Sequence, residues 1–140
     1  MKKYLIVAAL LLSGCATTEM NMTSERQLST YNDLSKVHKG MTYSQVTKIL
    51  GDKIIIGYKH ISNETGQAEP IYLENPYREE IITKDGSIYK IDYYLTSIKK
   101  ADGLISEEEL TPLTFQGERL VSKDWDFLYE IKTFVYELKK

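Results

Sequence analysis

The chain has 140 residues, 42% of them hydrophobic and 27% charged, with a formal net charge of -2. That is enough for one compact domain, too little for two comfortable ones, and too apolar for a disordered chain. No basic excess points to nucleic acid, and the single cysteine excludes an internal disulfide or a cysteine-based metal cluster.

Met1-Lys2-Lys3 precedes an apolar run from Tyr4 to Leu12, which leads into Leu12-Ser13-Gly14-Cys15. Nine residues of helix cover only ~14 Å, about half a bilayer core, so the run suits a secretory signal better than a span. These stretches resemble a bacterial lipoprotein signal peptide ending in a lipobox. The resemblance implies cleavage after residue 14 and lipid on Cys15, with no cofactor beyond that covalent lipid. Several acyl chains give stable anchoring where one is marginal. Ala16, in place of the Asp that retains lipoproteins in the inner membrane, implies the periplasmic face of the outer membrane. In a Gram-positive host it implies the outer face of the cell membrane. Residues 15–23 read as the lipidated cysteine and a polar tether. Residues 24–140 read as a single domain.

Ser24 to Val37 carries Leu28, Tyr31, Leu34 and Val37 at three-residue steps, which predicts a helix with Ser24 as its cap. Thr42 and Gln45 form a capping box ahead of Val46, Ile49 and Leu50, and Gly51 is placed for a left-handed cap. A second helix over 43–50 follows. Gly40-Met41-Thr42 and Gln45-Val46, ending in Leu50-Gly51, resemble the helical entry of BamE-like (SmpA/OmlA) lipoproteins. A similar pattern occurs in domains like the repeat of beta-lactamase inhibitor protein. The resemblance implies helices against an antiparallel sheet. Asp52-Lys53 stands where the BamE-like family usually carries proline.

Ile54 to Ile61 predicts a strand with a bulge at Gly57, and Ser62 to Pro70 a flexible connection. Tyr77 to Thr83 and Ile88 to Ile98 predict strands joined through the Asp85-Gly86 turn. The latter places Tyr89, Ile91, Tyr93 and Leu95 on one face and Lys90, Asp92, Tyr94 and Thr96 on the other. Leu113–Gln116 and Arg119–Lys123 pair across Gly117-Glu118, with Pro112 expected at a strand start or edge. The stretches Asn75–Arg78, Tyr89–Thr96, Glu109–Phe115 and Arg119–Leu128 also resemble a group of bacterial lipoproteins of uncharacterised activity.

Trp125, Phe127, Tyr129 and Ile131 alternate as in a strand, while Leu128, Ile131, Val135 and Leu138 step as in a helix; the preceding strand is expected to run into this region and a C-terminal helix to follow from about Asp126. Phe127, Phe134 and Tyr136 widen its apolar face. They either pack on the sheet or form a partner surface. The fold class is therefore α+β: two N-terminal helices on an antiparallel sheet of four or five strands, with a C-terminal helix.

Catalytic chemistry is not legible. Asp102, Gly103 and Glu109 match positions 5, 6 and 12 of a calcium loop, but Ile98 and Lys100 fall where oxygen ligands are needed. The bland reading is a loop in which Ser106 and Glu109 cap a helical turn. His38 and His60 lie on different elements without zinc spacing. No metal site and no catalytic residues are expected. The functional expectation is a non-enzymatic, lipid-anchored cell-envelope protein-interaction module. By the BamE-like resemblance it would be an accessory in outer-membrane protein assembly or envelope integrity. The alternative is a periplasmic ligand-binding or enzyme-inhibitor-like domain.

Overall fold

The computed structural model describes residues 26–61, 66–100 and 102–137; Cys15, the tether and Ser24 lie outside them. The architecture is α+β, as the pattern predicts. A four-stranded antiparallel sheet forms its centre, in the order β4 (Arg78–Lys84), β5 (Ser87–Leu95), β7 (Leu110–Gln116), β8 (Arg119–Ser122). Two further ladders flank it. One is β1 (Arg26–Gln27) with β6 (Ser97–Ile98), and the other is β2 (Lys53–His60) with β3 (Ala68–Glu74).

From Ile91 to Leu95 both faces of β5 are buried. Ile91, Tyr93 and Leu95 join Ile82 and Leu110 beneath Leu128 and Ile131 of the C-terminal helix α3 (Trp125–Glu137), with Ile54 of β2 completing that side. On the opposite face Tyr94, Leu113, Phe115 and Leu120 pack under Leu34, Val37, Val46 and Leu50. Burying Leu128 and Ile131 contributes ~1.5–3 kcal/mol each, which fixes the helical stripe against the sheet. The alternation along β5 thus holds, but its second face is not a solvent face. Asp92 and Tyr94 are fully buried there.

The first predicted helix is corrected. Only Ser29–Asp33 is α-helical (α1), and a 3-10 turn over Leu34–Lys36 follows. Steps of three suit three residues per turn, so the spacing of Leu28, Leu34 and Val37 fits the tighter helix. Tyr31 is exposed, and Leu28, without a side-chain cap, starts the helix. Chain entry is set by β1, whose pairing with β6 ends β5 at Leu95 rather than Ile98. The second helix, α2, spans Tyr43–Leu50 with its capping box formed: the Gln45 amide donates to Thr42 Oγ1 and the Thr42 amide to Gln45 Oε1. Gly51 closes it at φ 73, ψ -176. The positive φ is as expected, but that ψ lies in a region essentially reserved for glycine rather than in the left-handed helical one.

The entry to α2 also covers one sheet edge. Thr42 bridges Arg119, the Gly40 amide donates to Leu120 O at 2.7 Å, and the Leu120 amide donates to Met41 O at 2.9 Å. Among the described residues, no strand pairs with the outer edge of β4.

β3 is a second correction, because Ala68, Glu69 and Pro70 belong to a strand rather than to a connection. Its register pairs Tyr58 with Pro70 and Ile54 with Leu73, and it shifts between Ile55 and Gly57, where the bulge was expected. Pro112 is a third. It lies inside β7, paired with Tyr93, but the β8 register reaches only to Thr114. On that side no β8 residue stands beside Pro112, so its missing N–H costs no ladder bond. The Asp85-Gly86 turn forms as predicted, with φ 50 and 77. A type I′ hairpin needs both values positive.

Candidate functional site

Beside the outer edge of β4 lies an open cleft of about 460 Å³ lined by Arg78, Glu79, Glu80, Glu107, Trp125, Tyr129 and Lys132. Behind this lining the ring of Tyr93 lies fully buried in β5. Antiparallel register brings Arg78 opposite Tyr93, and the Arg78 guanidinium stands 4.0 Å from that ring's centre. Arg78 also pairs with Glu107 at 2.8 Å. Two residues further along β4, Glu80 receives the Tyr93 hydroxyl at 2.5 Å and the Lys132 ammonium of α3 at 2.8 Å. Lys132 donates to the Tyr93 hydroxyl as well, at 3.2 Å.

The wall is aromatic. Trp125 leans on Tyr93 with ring centres 5.7 Å apart, donates from Nε1 to Leu110 O at 3.1 Å, and stacks on Tyr129 at 28° between ring planes. Helical spacing makes this stack, since positions 125 and 129 share a face one turn apart. Asp124 sets the helix start by accepting the Phe127 amide at 2.9 Å. Tyr129 is 57% exposed.

The charges in the cleft hold one another in place. Burial pushes the Glu80 carboxyl up, but hydrogen bonds from Lys132 and Tyr93 outweigh it, and the net effect is downward. Burial and the hydrogen bond to Glu80 together raise Tyr93. For Lys132, burial acts downward and is outweighed by Glu80 and Tyr93, so its pKa is raised. At neutral pH the three stay carboxylate, phenol and ammonium.

A second surface lies on the β2–β3 ribbon. Only its base docks on the core, through Ile54, Ile56 and Leu73. On the other face the register aligns Ile55 with Tyr72 and Tyr58 with Pro70. Tyr58 and Tyr72 are 61% and 57% exposed, and Ile55 is exposed as well. Asn75 fixes the ribbon's base. It receives the Leu95 amide at 2.8 Å and donates to Thr30 Oγ1 at 3.1 Å.

No family model matches the chain, and no curated protein or solved structure is significantly similar to it.

The residues singled out from sequence fall as follows. Phe127 is half-buried and meets Tyr89 edge-on at 6.1 Å, on the core beside the cleft. Phe134 and Tyr136 lie in the part of α3 whose side chains are outside the described ones, and Cys15 lies outside the described residues altogether. His38 and His60 are exposed and far apart in the chain. Glu109 is buried, and its carboxylate is spent on its own loop. It receives the amides of Lys99 at 2.6 Å, Ser106 at 2.7 Å and Lys100 at 3.4 Å, with the Ser106 hydroxyl at 3.2 Å. Burial pushes this carboxyl up, but the backbone hydrogen bonds prevail and lower it. Among the described residues, no group of three or more His, Cys, Asp or Glu is placed to hold a metal ion, and no helix is long and apolar enough to cross a membrane.

The cleft residues Arg78, Glu80, Tyr93, Trp125, Tyr129 and Lys132 were not anticipated. Their one sequence signal is Trp125, the chain's only tryptophan. A ring with an N–H to satisfy often marks a half-wet site.

Proposed function

We propose that this protein is a lipid-anchored cell-envelope protein that acts as a non-enzymatic interaction module, held by lipid on Cys15 at the periplasmic face of the outer membrane. The observation that carries the reading is the outer face of the β2–β3 ribbon, where Ile55, Tyr58, Pro70 and Tyr72 align and, among the described residues, Ile55, Tyr58 and Tyr72 stay exposed. Aromatic residues presented on a two-stranded ribbon suit a protein partner, because tyrosine contributes large contact area at small entropy cost. The cleft supports the non-enzymatic part, since its titratable groups are locked in mutual pairs. A role as accessory in outer-membrane protein assembly or envelope integrity follows as the finer proposal.

The test is in-cell crosslinking with a photoreactive residue at Tyr58 or Tyr72, and at Ile88 as a control exposed on another strand. A discrete adduct from the ribbon positions alone supports the module. Identical smears from all three positions sink it. The anchor is tested separately, because Cys15→Ser should abolish lipid labelling and release the protein from the membrane fraction. If the variant remains lipidated and membrane-bound, the anchor assignment is wrong.

A further inference from the structure

The cleft between β4 and α3 has a composition that restricts what it can hold. Its cations are already taken: Arg78 by Glu107 and the Tyr93 ring, Lys132 by Glu80 and the Tyr93 hydroxyl. Glu79 is paired with Lys90 at 3.2 Å. An anionic ligand would have to break one of these pairs and would then face the surplus of carboxylates over cations in the lining. A cationic ligand would displace Arg78 or Lys132 from partners held at 2.8 Å. A neutral polyhydroxyl ligand needs neither exchange. Carboxylate oxygens have lone pairs to spare beyond one ion pair, and a guanidinium has five donors, so hydroxyl groups can add to the existing pairs. The aromatic wall supplies the rest. With Trp125 stacked on one side, Tyr129 keeps an exposed flat surface at the mouth. The negative face of such a ring attracts the weakly positive C–H groups on the apolar side of a sugar. The volume, about 460 Å³, is within the ~300–1,000 Å³ usual for small-ligand sites.

We infer that this cleft is a saccharide-binding site for an uncharged glycan, with one sugar ring stacked on Tyr129 and hydroxyls bonded by Glu107, Arg78 and Glu80. The assignment is independent of the ribbon surface and of the lipid anchor, so it stands or falls apart from them.

Trp125 is the only tryptophan in the chain and lines the cleft, so its emission reads occupancy directly. The full-length protein, in a detergent without sugar headgroups, is titrated with a β-1,4-linked disaccharide of N-acetylglucosamine, with choline chloride, and with sodium phosphate. The expected result is a saturable change in emission with the disaccharide alone. Tyr129→Ala should weaken binding by up to about tenfold, as for loss of one stacking contact. Tyr129→Phe should retain binding, because the ring face and not the hydroxyl is used. The unfolding midpoint of each variant shows that the fold is intact. No saturable change with the disaccharide at millimolar concentration overturns the inference. So does saturation by choline or phosphate in its place, or equal binding by Tyr129→Ala in a folded protein.

Discussion

Glu109 offers the sharpest test of how this domain is held together. Its side chain is 2% exposed, and both carboxylate oxygens accept from the 99–106 loop. Glu109→Ala removes two short, charge-assisted bonds, to the amides of Lys99 and Ser106, and two longer contacts. Charge-assisted bonds contribute ~1.5–3 kcal/mol each, giving ~3–6 kcal/mol for the short pair. Lys99 and Lys100 are exposed residues, so water recovers part of this, and a loss of about 3 kcal/mol is expected. Glu109→Gln should cost nearly as much. Its carbamoyl nitrogen would point a donor at an amide that is itself a donor, leaving one good acceptor where two are needed. The assay is urea unfolding followed by circular dichroism, with the midpoint falling at unchanged slope. The pH dependence has a definite sign. The folded carboxyl is lowered, so the unfolded chain binds more protons on acidification. The stability from Glu109 is therefore present above the ordinary carboxylate range, near ~4.3, and lost as pH falls through the folded value. The gap between wild type and Glu109→Gln should close in the same window. A Glu109→Gln protein within ~0.5 kcal/mol of wild type at neutral pH would refute this accounting of the loop.

Thr42→Ala removes the acceptor of the α2 capping box and should destabilise by ~1 kcal/mol in thermal unfolding, with Thr42→Ser recovering most of it. Tyr94→Phe should be neutral or stabilising by up to ~1 kcal/mol, because the buried Tyr94 hydroxyl has no hydrogen-bond partner among the described residues; a loss above that size in urea unfolding would reveal a hidden one. Burial, then the negative charge of Asp92, raises Tyr94, so its contribution is full below the normal tyrosine range and is lost as pH rises through the folded value. Alkaline titration followed by absorbance should show a late tyrosine component that Tyr94→Phe diminishes. Glu80→Gln should cost no more than ~1 kcal/mol, since the Glu80–Lys132 pair is partly exposed and screened; the difference from wild type should shrink at high salt and as pH falls through the lowered Glu80 value.

Local signals were legible wherever they were self-contained. Thr42, Gln45 and Gly51 define α2 within ten residues, and Asp85-Gly86 dictates the β4–β5 turn from backbone geometry alone. β3 was not legible because Glu69, Pro70 and Glu74 carry no buried alternation. The strand forms by pairing with β2 rather than by burying a face. The burial of Asp92 and Tyr94 was not legible, since nothing in β5 announces that α2 and its approach cover the second face. The cleft was the least legible of all. Arg78 and Glu80, Tyr93, Glu107, and Trp125 with Lys132 come from separate stretches, and only the sheet register and the docking of α3 bring them together. Glu109 illustrates the opposite case: its capping role was readable from Ser106 three residues earlier, and its competing calcium reading failed on Ile98 and Lys100.

The approach to α2 lies along the outer edge of β8 from Glu118 to Leu120, while no strand among the described residues pairs with the outer edge of β4. The central sheet is therefore extensible in one direction only. Two copies that met edge to edge through β4 would each consume their free edge, and the joint sheet would end at a covered β8 on both sides. Association along this sheet closes at two molecules instead of growing into a fibre, which is a safeguard for a chain whose strands are rich in isoleucine and tyrosine.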